Sequence, residues 1–387
     1  MEHIYLDHAA TTPVHPTVLD KINELTLDIY GNPSSIHHAG RKARKYLDEA
    51  RRVIARSIHA TEKEIIFTGS GTEADNLAII GTALKNKHNG KHVITTEQEH
   101  HAVLHAFELL EEMGFQVTYL PVDEKGLLHL EDLEQALTDE TILVSVMFVN
   151  NETGVIQPIK EIGECLADHQ AYFHTDAVQA YGLLDVDVND LQVDLLTTSA
   201  HKIYGPKGIG FLYIQNDVPI KSLAVGGNQE HVRRAGTENM MGIIGFQKAV
   251  ELIEDEREER MDEFKHYRNV FLQSLEEEGV SFTINGDITR SIPSIINISF
   301  PGISVEPLLM NLDLAGISAS SGSACTAGSI QPSHVLVAMY GENDKRIANS
   351  VRFSFGSLNS TSISQEAAER ISEVIKRMQQ GGATNEK

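Results

Sequence analysis

Positive charge is scarce in this 387-residue sequence: 32 lysines and arginines stand against 55 acidic residues, a formal net charge of -23. A chain so acidic repels phosphate backbones and anionic membrane surfaces at long range, which argues against direct, sequence-independent binding of nucleic acid. Cysteine is scarcer still, with Cys165 and Cys325 alone. Two are too few for a disulfide framework or a cysteine zinc cluster, so no metal site is expected and any sulfur chemistry must run through a single thiol. Long apolar runs are missing too, and residues 1–20, with Asp7, several histidines and two prolines, do not read as a signal peptide or a membrane span. A cytoplasmic protein without membrane contact is the expectation. There is no internal repeat or low-complexity tract. What remains is the composition of an ordinary globular protein, 41% apolar and 22% charged, in a chain long enough for two domains.

From Glu64 onward the pattern alternates regularly. Strands are predicted at 65–67, 92–95, 115–120, 142–149 and 171–174, with helices at 73–85, 102–113, 130–137 and 159–168 between them. Strands alternating with helices imply an α/β fold, a mostly parallel sheet covered on both faces. Ligands of such sheets bind beyond the carboxyl ends of the strands. Five strand ends are therefore predicted to meet at one mouth: Thr68 to Thr72, Glu97 to His100, Asn150 to Gly154, Asp176 to Gln179 and Ser199 to Lys202. Helices are expected at 17–27 and 40–57 before this region. After Gly236-Thr237-Glu238-Asn239 a long charged helix runs to about Glu278 and crosses between domains. The remainder is mixed, with strands at 281–284, 295–300 and 350–355 and helices at 307–314, 332–340 and 365–378.

Chemistry concentrates in Ser199-Ala200-His201-Lys202-Ile203-Tyr204-Gly205-Pro206-Lys207-Gly208. Lys202 follows a short apolar strand, 193–196, and precedes glycines and a proline that cannot continue it, so the amine sits on a turn at a strand end. That position suits a lysine forming a Schiff base with pyridoxal 5'-phosphate (PLP) while Ser199 and His201 hold the phosphate; a lysine in a polar surface turn is the alternative. Gly69-Ser70-Gly71-Thr72 opens a helix, where free N–H groups and the Thr72 hydroxyl can grip a phosphate or simply cap the helix. Asp176 ends an apolar strand, a costly place for a carboxylate unless a cation such as the PLP pyridinium pairs with it. A plain turn residue is the other reading. His100 is placed to lie against a cofactor ring and move protons. Cys325 lies in a run of small residues, 320–329, as an accessible thiol in a segment expected to move, whereas Cys165 reads as a buried helix residue.

Several segments then carry a resemblance: Tyr5-Leu6-Asp7 with Ala9-Ala10-Thr11-Thr12, Gly31-Asn32-Pro33-Ser34-Ser35, Gly71-Thr72-Glu73-Ala74-Asp75-Asn76, Val149-Asn150-Asn151-Glu152, 201–208, and Ser321-Gly322-Ser323-Ala324-Cys325-Thr326. Over nearly its whole length the chain resembles the cysteine desulfurases, PLP enzymes of the class-V aminotransferase group. Its Cys325 run is similar to the long-loop form of the nitrogen-fixation and iron-sulfur type. The resemblance implies the aspartate-aminotransferase fold (fold type I), with a large PLP-binding domain at 16–258 and a smaller α+β domain made of 1–15 and 259–387. It assigns Lys202 to covalent attachment of PLP, Asp176 to the pyridine nitrogen, His100 to the ring face, and Asn151 and Gln179 to the ring substituents. Gly71, Thr72, Ser199 and His201 would hold the phosphate, joined by Thr237 from the second subunit of a homodimer. Arg352, assisted by Asn32 and Asn151, would bind the substrate carboxylate. Cys325 would take sulfur from L-cysteine as a persulfide, release L-alanine, and supply a protein acceptor in iron-sulfur cluster assembly or tRNA thiolation. A class-V aminotransferase, indifferent to Cys325, and a selenocysteine lyase are the alternatives on the same fold. Phe148 stands where many relatives have His or Leu, and the chain has no longer tail of the kind some relatives use to dock a scaffold, which leaves the acceptor open.

Overall fold

The structure, a computed structural model, describes residues 3–322 and 332–382. Cys325 and most of the small-residue run around it lie outside those residues. At the centre is a seven-stranded sheet with spatial order Ile65–Thr68, Gly210–Ile214, Leu195–Ser199, Tyr172–Asp176, Thr141–Ser145, His92–Thr96, Gln116–Leu120. Neighbours run parallel except Gly210–Ile214, which is antiparallel to the strand on either side. Every residue of Thr141–Ser145 and of Leu195–Ser199 is buried, as a sheet covered on both faces requires. One face packs Ile66 and Leu212 against Leu77 and Ile80 of helix Gly71–Asn86 and Phe107 of helix His101–Glu112. The other joins Phe173 and Phe211 to Ile54 of helix His38–Ser57 and to Phe246.

A second core lies apart from the first. Ile4 and Leu6 meet Phe271, Phe300, Phe353 and Ile371, around the antiparallel strands Ser350–Ser354, Ile295–Ser299 and Thr283–Asn285. The short strand Ile4–Tyr5 pairs in parallel with Ile317–Ser318, so the first residues of the chain are built into the last third. Helix Met240–Glu277 serves both cores: Ile243, Phe246 and Ile253 belong to the first, and Phe264, Phe271 and Leu275 to the second. No helix among the described residues is long and apolar enough to cross a membrane.

Three element predictions need correction. The run predicted as a strand over 142–149 is a regular strand only at Thr141–Ser145; beyond it the Val146 and Phe148 N–H groups still reach the His174 and Asp176 carbonyls, but the Met147 N–H between them turns to the buried carboxyl of Glu99 at 2.9 Å. The strand before Lys202 is Leu195–Ser199 and not 193–196; Ser199 is its last residue, and Lys202 closes a single 3-10 turn, Ala200–Lys202. Gly210–Ile214 was hidden behind the Gly205-to-Gly208 punctuation. Gly210 is needed there, since a Cβ would press on the Thr198 carbonyl and on the Ser70–Gly71 turn. Cys165, read as buried, is half-buried, and its burial and Glu134 raise its thiol pKa.

Candidate functional site

The carboxyl ends of the parallel strands open into one cavity of ≈ 370 Å³. Its wall includes Gly71, Thr72, His100, Asn151, Asp176, Gln179, Ser199, His201, Lys202 and Arg352. Each arrives for a local reason. Ser70 caps helix Gly71–Asn86 by accepting from the Glu73 N–H at 3.1 Å, and Glu73 returns to the Gly69 N–H at 2.7 Å, so Gly71 and Thr72 occupy the first helical turn facing the mouth. His100 caps helix His101–Glu112 through Nδ1, which accepts from the Ala102 N–H at 3.2 Å. Asp176 ends its strand and accepts from the Val178 N–H at 2.9 Å. Arg352 comes from the second unit. Its guanidinium donates to Asp7 Oδ1 at 2.8 Å and to the Asn151 carbonyl at 3.0 Å, and its Nε is buried without a partner.

Burial sets the charge states. The Lys202 amine donates to the carbonyls of Ala9 (2.5 Å) and Ala10 (2.8 Å). Burial and then the Arg352 charge lower its pKa to about 8, so an unprotonated amine is within reach near neutral pH. Burial pushes Asp176 and Asp75 above the usual carboxylate range, and the Asp176 charge pushes Asp75 further. Glu99, accepting from Thr96 and Met147, is pushed up to about 8 by burial. Three buried acids therefore cluster at the cavity wall, and among the described residues the Lys202 charge is the one cation that acts on Asp176. Asp75, His100 and Asp176 each offer a ligand atom, all within 4.8 Å of one another, a grouping able to grip a positive charge. Burial, followed by the Lys202 charge, holds both His100 and His201 down to about 4, as neutral imidazoles.

The chemistry of these donors fits PLP. A phosphate would meet the first-turn N–H groups of the Gly71 helix beside Ser199 and His201, a close-packed spot where a Cβ on Gly71 would lie 3.1 Å from Val178 Cγ2 and 3.5 Å from Ser199 Cβ. A pyridinium would neutralise Asp176. The Asn151 Oδ1 is buried without a partner and matches a hydroxyl donor.

Asn32, predicted to assist at the substrate, stands elsewhere, and Thr237, predicted to serve a partner subunit's phosphate, is absent from this subunit's own cavity. Asn32 is exposed, its Oδ1 accepting from the Ser34 N–H at 2.9 Å, and Thr237 is exposed; neither lines the cavity. Sequence reasoning missed Asp7, Asp75, Glu99 and Glu152 as individuals. Asp75 had a signal, the one acid among the buried residues of a helix whose buried positions are mostly Ala, Leu, Ile and Gly.

Residues 4–363 match the family described as aminotransferase class-V. The chain is 54% identical to the IscS 1 protein of Bacillus subtilis (strain 168) over 98% of this chain and 100% of that one. It is 46% identical to the cysteine desulfurase IscS of Clostridium botulinum (strain Hall) over 97% of this chain and 95% of the relative. Among solved structures a NifS-like protein superposes with a TM-score of 0.90 at 34% identity, covering 97% of this chain and 99% of its own.

Proposed function

This chain belongs to the aminotransferase class-V family, among its cysteine desulfurases, and from that premise we propose that it is a PLP-dependent enzyme converting L-cysteine to L-alanine with a persulfide formed on Cys325. One observation carries the reading: a lysine amine hydrogen-bonded to two backbone carbonyls, a buried aspartate whose pKa burial raises, and a buried arginine share a single cavity wall. Gly71, Thr72, Ser199 and His201 would hold the cofactor's phosphate, Asp176 its ring nitrogen, and Asn151 and Gln179 its ring substituents. When bound, PLP supplies a covalent link to the substrate amine and a sink for the electrons of the bonds broken next to it.

The residues of the chain supply the rest. Arg352 takes the substrate carboxylate, exchanging its bond to Asp7 for one of the same charge and geometry. Lys202, with its lowered pKa, removes and returns the α-proton as a general base and acid. His100, neutral in the cavity wall, carries the proton of the sulfur. The Cys325 thiolate attacks the substrate sulfur. A sulfur–sulfur bond forms, the carbon–sulfur bond breaks, its electron pair stays with the substrate carbon, and a proton on that carbon completes alanine. The persulfide sulfur then passes to a protein acceptor for iron-sulfur clusters or tRNA thiolation.

Residues 1–15 and 259–387 form the smaller domain in this proposal, bringing Arg352 and Cys325 to the cofactor held by 16–258. The enzyme works in the cytoplasm as a C2 homodimer in which Thr237 serves the partner's phosphate, with the exposed side chains of Leu27, Tyr30, Ile36 and Val225 available for the contact. The test is product analysis with L-cysteine and a thiol reductant. Equal amounts of alanine and sulfide are expected from the wild type, and from Cys325→Ser a loaded cofactor with no protein-bound sulfur. Transamination products without sulfide, or full turnover by the serine variant, would refute the reading.

A further inference from the structure

The turn that opens helix Gly71–Asn86 contains a conflict of charge. Glu73 closes it, with Oε2 accepting from the Gly69 N–H at 2.7 Å, so a carboxylate stands at the helix start where the cofactor's phosphate would sit. That carboxylate repels the anion which the free N–H groups and the helix dipole attract. Among the described residues of the cavity wall, no cationic side chain is left to offset it. His100 and His201 are held down to about 4, and burial also lowers His101 and His334. Lys202 is taken by the link to the cofactor and Arg352 by the substrate carboxylate.

The offset comes from the other side of the turn. A second cavity of ≈ 440 Å³ lies there, bounded by Ser70, Thr72, Glu73, Arg233 and Arg234 among others. Arg234 donates from Nε to Glu73 Oε1 at 2.7 Å and from Nη2 to Glu73 Oε2 at 3.3 Å, a two-pronged pair. Its guanidinium also approaches the turn itself, since a Cβ on Gly69 would lie 3.9 Å from Arg234 Nη2. With side chains 25% and 33% exposed, such a pair adds little to stability by itself. Its weight lies in what it stands beside. The approach of Arg234 is built in. Glu230, four residues earlier, is buried and accepts from Arg51 Nη1 at 2.8 Å, Arg51 Nη2 at 2.7 Å and the Phe67 N–H at 2.9 Å. From that anchor the backbone passes through Glu230, His231 and Val232 with φ of 43°, 56° and 66°, the left-handed region that L-residues avoid and a β-branched valine most of all. Three such residues in a row persist only where their surroundings impose them. Past Arg234 the chain is fastened again, the Ala235 N–H donating to the Ala224 carbonyl at 3.1 Å and the Gly236 N–H to Gln229 Oε1 at 3.2 Å.

We propose that Arg234 is a positioning residue for the cofactor's phosphate: it cancels the charge of Glu73, so the turn keeps the carboxylate that closes it without repelling the anion it holds. This role rests on the reading that Gly71, Thr72 and Ser199 hold that phosphate. The test titrates the full chain, stripped of cofactor, with two probes read by visible absorbance. One is PLP and the other is pyridoxal, which has the same ring and aldehyde without the phosphate. Arg234→Met removes the charge at similar length, Arg234→Lys keeps it, and Glu73→Gln removes the opposing charge while its amide oxygen still accepts from the Gly69 N–H.

Arg234→Met should weaken PLP binding about tenfold or more, the factor that ~1.4 kcal/mol carries, and leave pyridoxal within about twofold of wild type. Arg234→Lys should stay within about threefold of wild type for PLP. Glu73→Gln should bind PLP at least as tightly as wild type, and adding Arg234→Met to it should cost less than about threefold, because no charge is left to cancel. An unchanged PLP affinity in Arg234→Met, equal losses for PLP and pyridoxal, or a loss as large in the Glu73→Gln background as alone would overturn the role of Arg234. Thr72→Ala and Ser199→Ala tell the two failures apart. If they weaken PLP binding and Arg234→Met does not, the phosphate reading stands and Arg234 has no part in it. If none of the three changes PLP affinity, the phosphate is held elsewhere and both readings fall.

Discussion

Asp176→Asn should move the cofactor-free and cofactor-loaded proteins in opposite directions. In the cofactor-free state the Asp176 carboxyl is buried in the cavity wall, keeps the Val178 N–H as its hydrogen-bond donor, has Asp75 and Glu99 as acidic neighbours and is offset in part by the Lys202 charge. An asparagine has the same shape, retains that bond through Oδ1 and carries no charge. Leaving a buried polar or charged group without its partner costs ~1–3 kcal/mol or more, so the variant should gain roughly that amount without cofactor, a rise of a few degrees in Tm for a chain of this size. The pH dependence has a definite sign. Because the folded-state pKa is raised, the folded protein binds the extra proton between the unfolded value and the raised one, and the stability this contributes is lost as pH rises through the raised value. The gain on substitution is therefore larger at pH 8 than at pH 5. Loaded protein loses the pair between Asp176 and the pyridinium, and breaking a buried pair costs ~3–5 kcal/mol, or about 10² to several times 10³ in PLP affinity. Thermal scans with and without PLP at both pH values, with a cofactor titration, read all of this. A cofactor-free variant that melts below wild type at pH 8 would refute the account of Asp176 as an acid waiting for a cation.

Lys202→Ala should purify without the visible absorption band of bound PLP; an unchanged spectrum would remove Lys202 from the covalent role. His174 is fully buried between Ser145 Oγ and Thr197 Oγ1, and burial lowers its pKa to about 3. The unfolded chain binds a proton there below pH 6.5 that the folded chain refuses, so stability is lost as pH falls from about 6.5 toward 3. Denaturant unfolding should show His174→Gln with a flatter acid limb, and an unchanged slope would count against the assignment.

The alternating core was legible in the sequence because its periodicity is local. Helix Gly71–Asn86 and strand His92–Thr96 follow from runs whose meaning does not depend on distant residues. Strand Gly210–Ile214 was not legible: an antiparallel strand between two parallel ones follows no alternation rule, and the glycines before it mask its start. Lys202, Asp176, His100 and Gly71-Thr72 were found through their positions at strand ends and a helix start, whereas the roles of Arg352, Asn151 and Gln179 came from the resemblance. Their supports were not found, and distance is the reason. Asp7 meets Arg352 across 345 residues and Glu152 meets Ser333 across 181, and no pattern of period 2 or 3.6 links such pairs. Asn32 and Thr237 came from the resemblance alone, and nothing in the local chain says which cavity, if any, they serve.

The parallel pairing of Ile4 with Ile317 bears on how the protein is made. A ribosome adding about 5–20 residues per second needs roughly 15 seconds to a minute to deliver the second strand after the first. Throughout that interval Ile4 and Leu6, later among the buried residues of the second core, hang from a growing chain with nothing to cover them, while the seven-stranded sheet is already complete at Ile214. The two cores thus mature in sequence, and the leading residues of the chain are among the last to find their place. Anything that occupies the N-terminus during synthesis, whether a chaperone or a fused tag, competes with the second core and leaves the first alone.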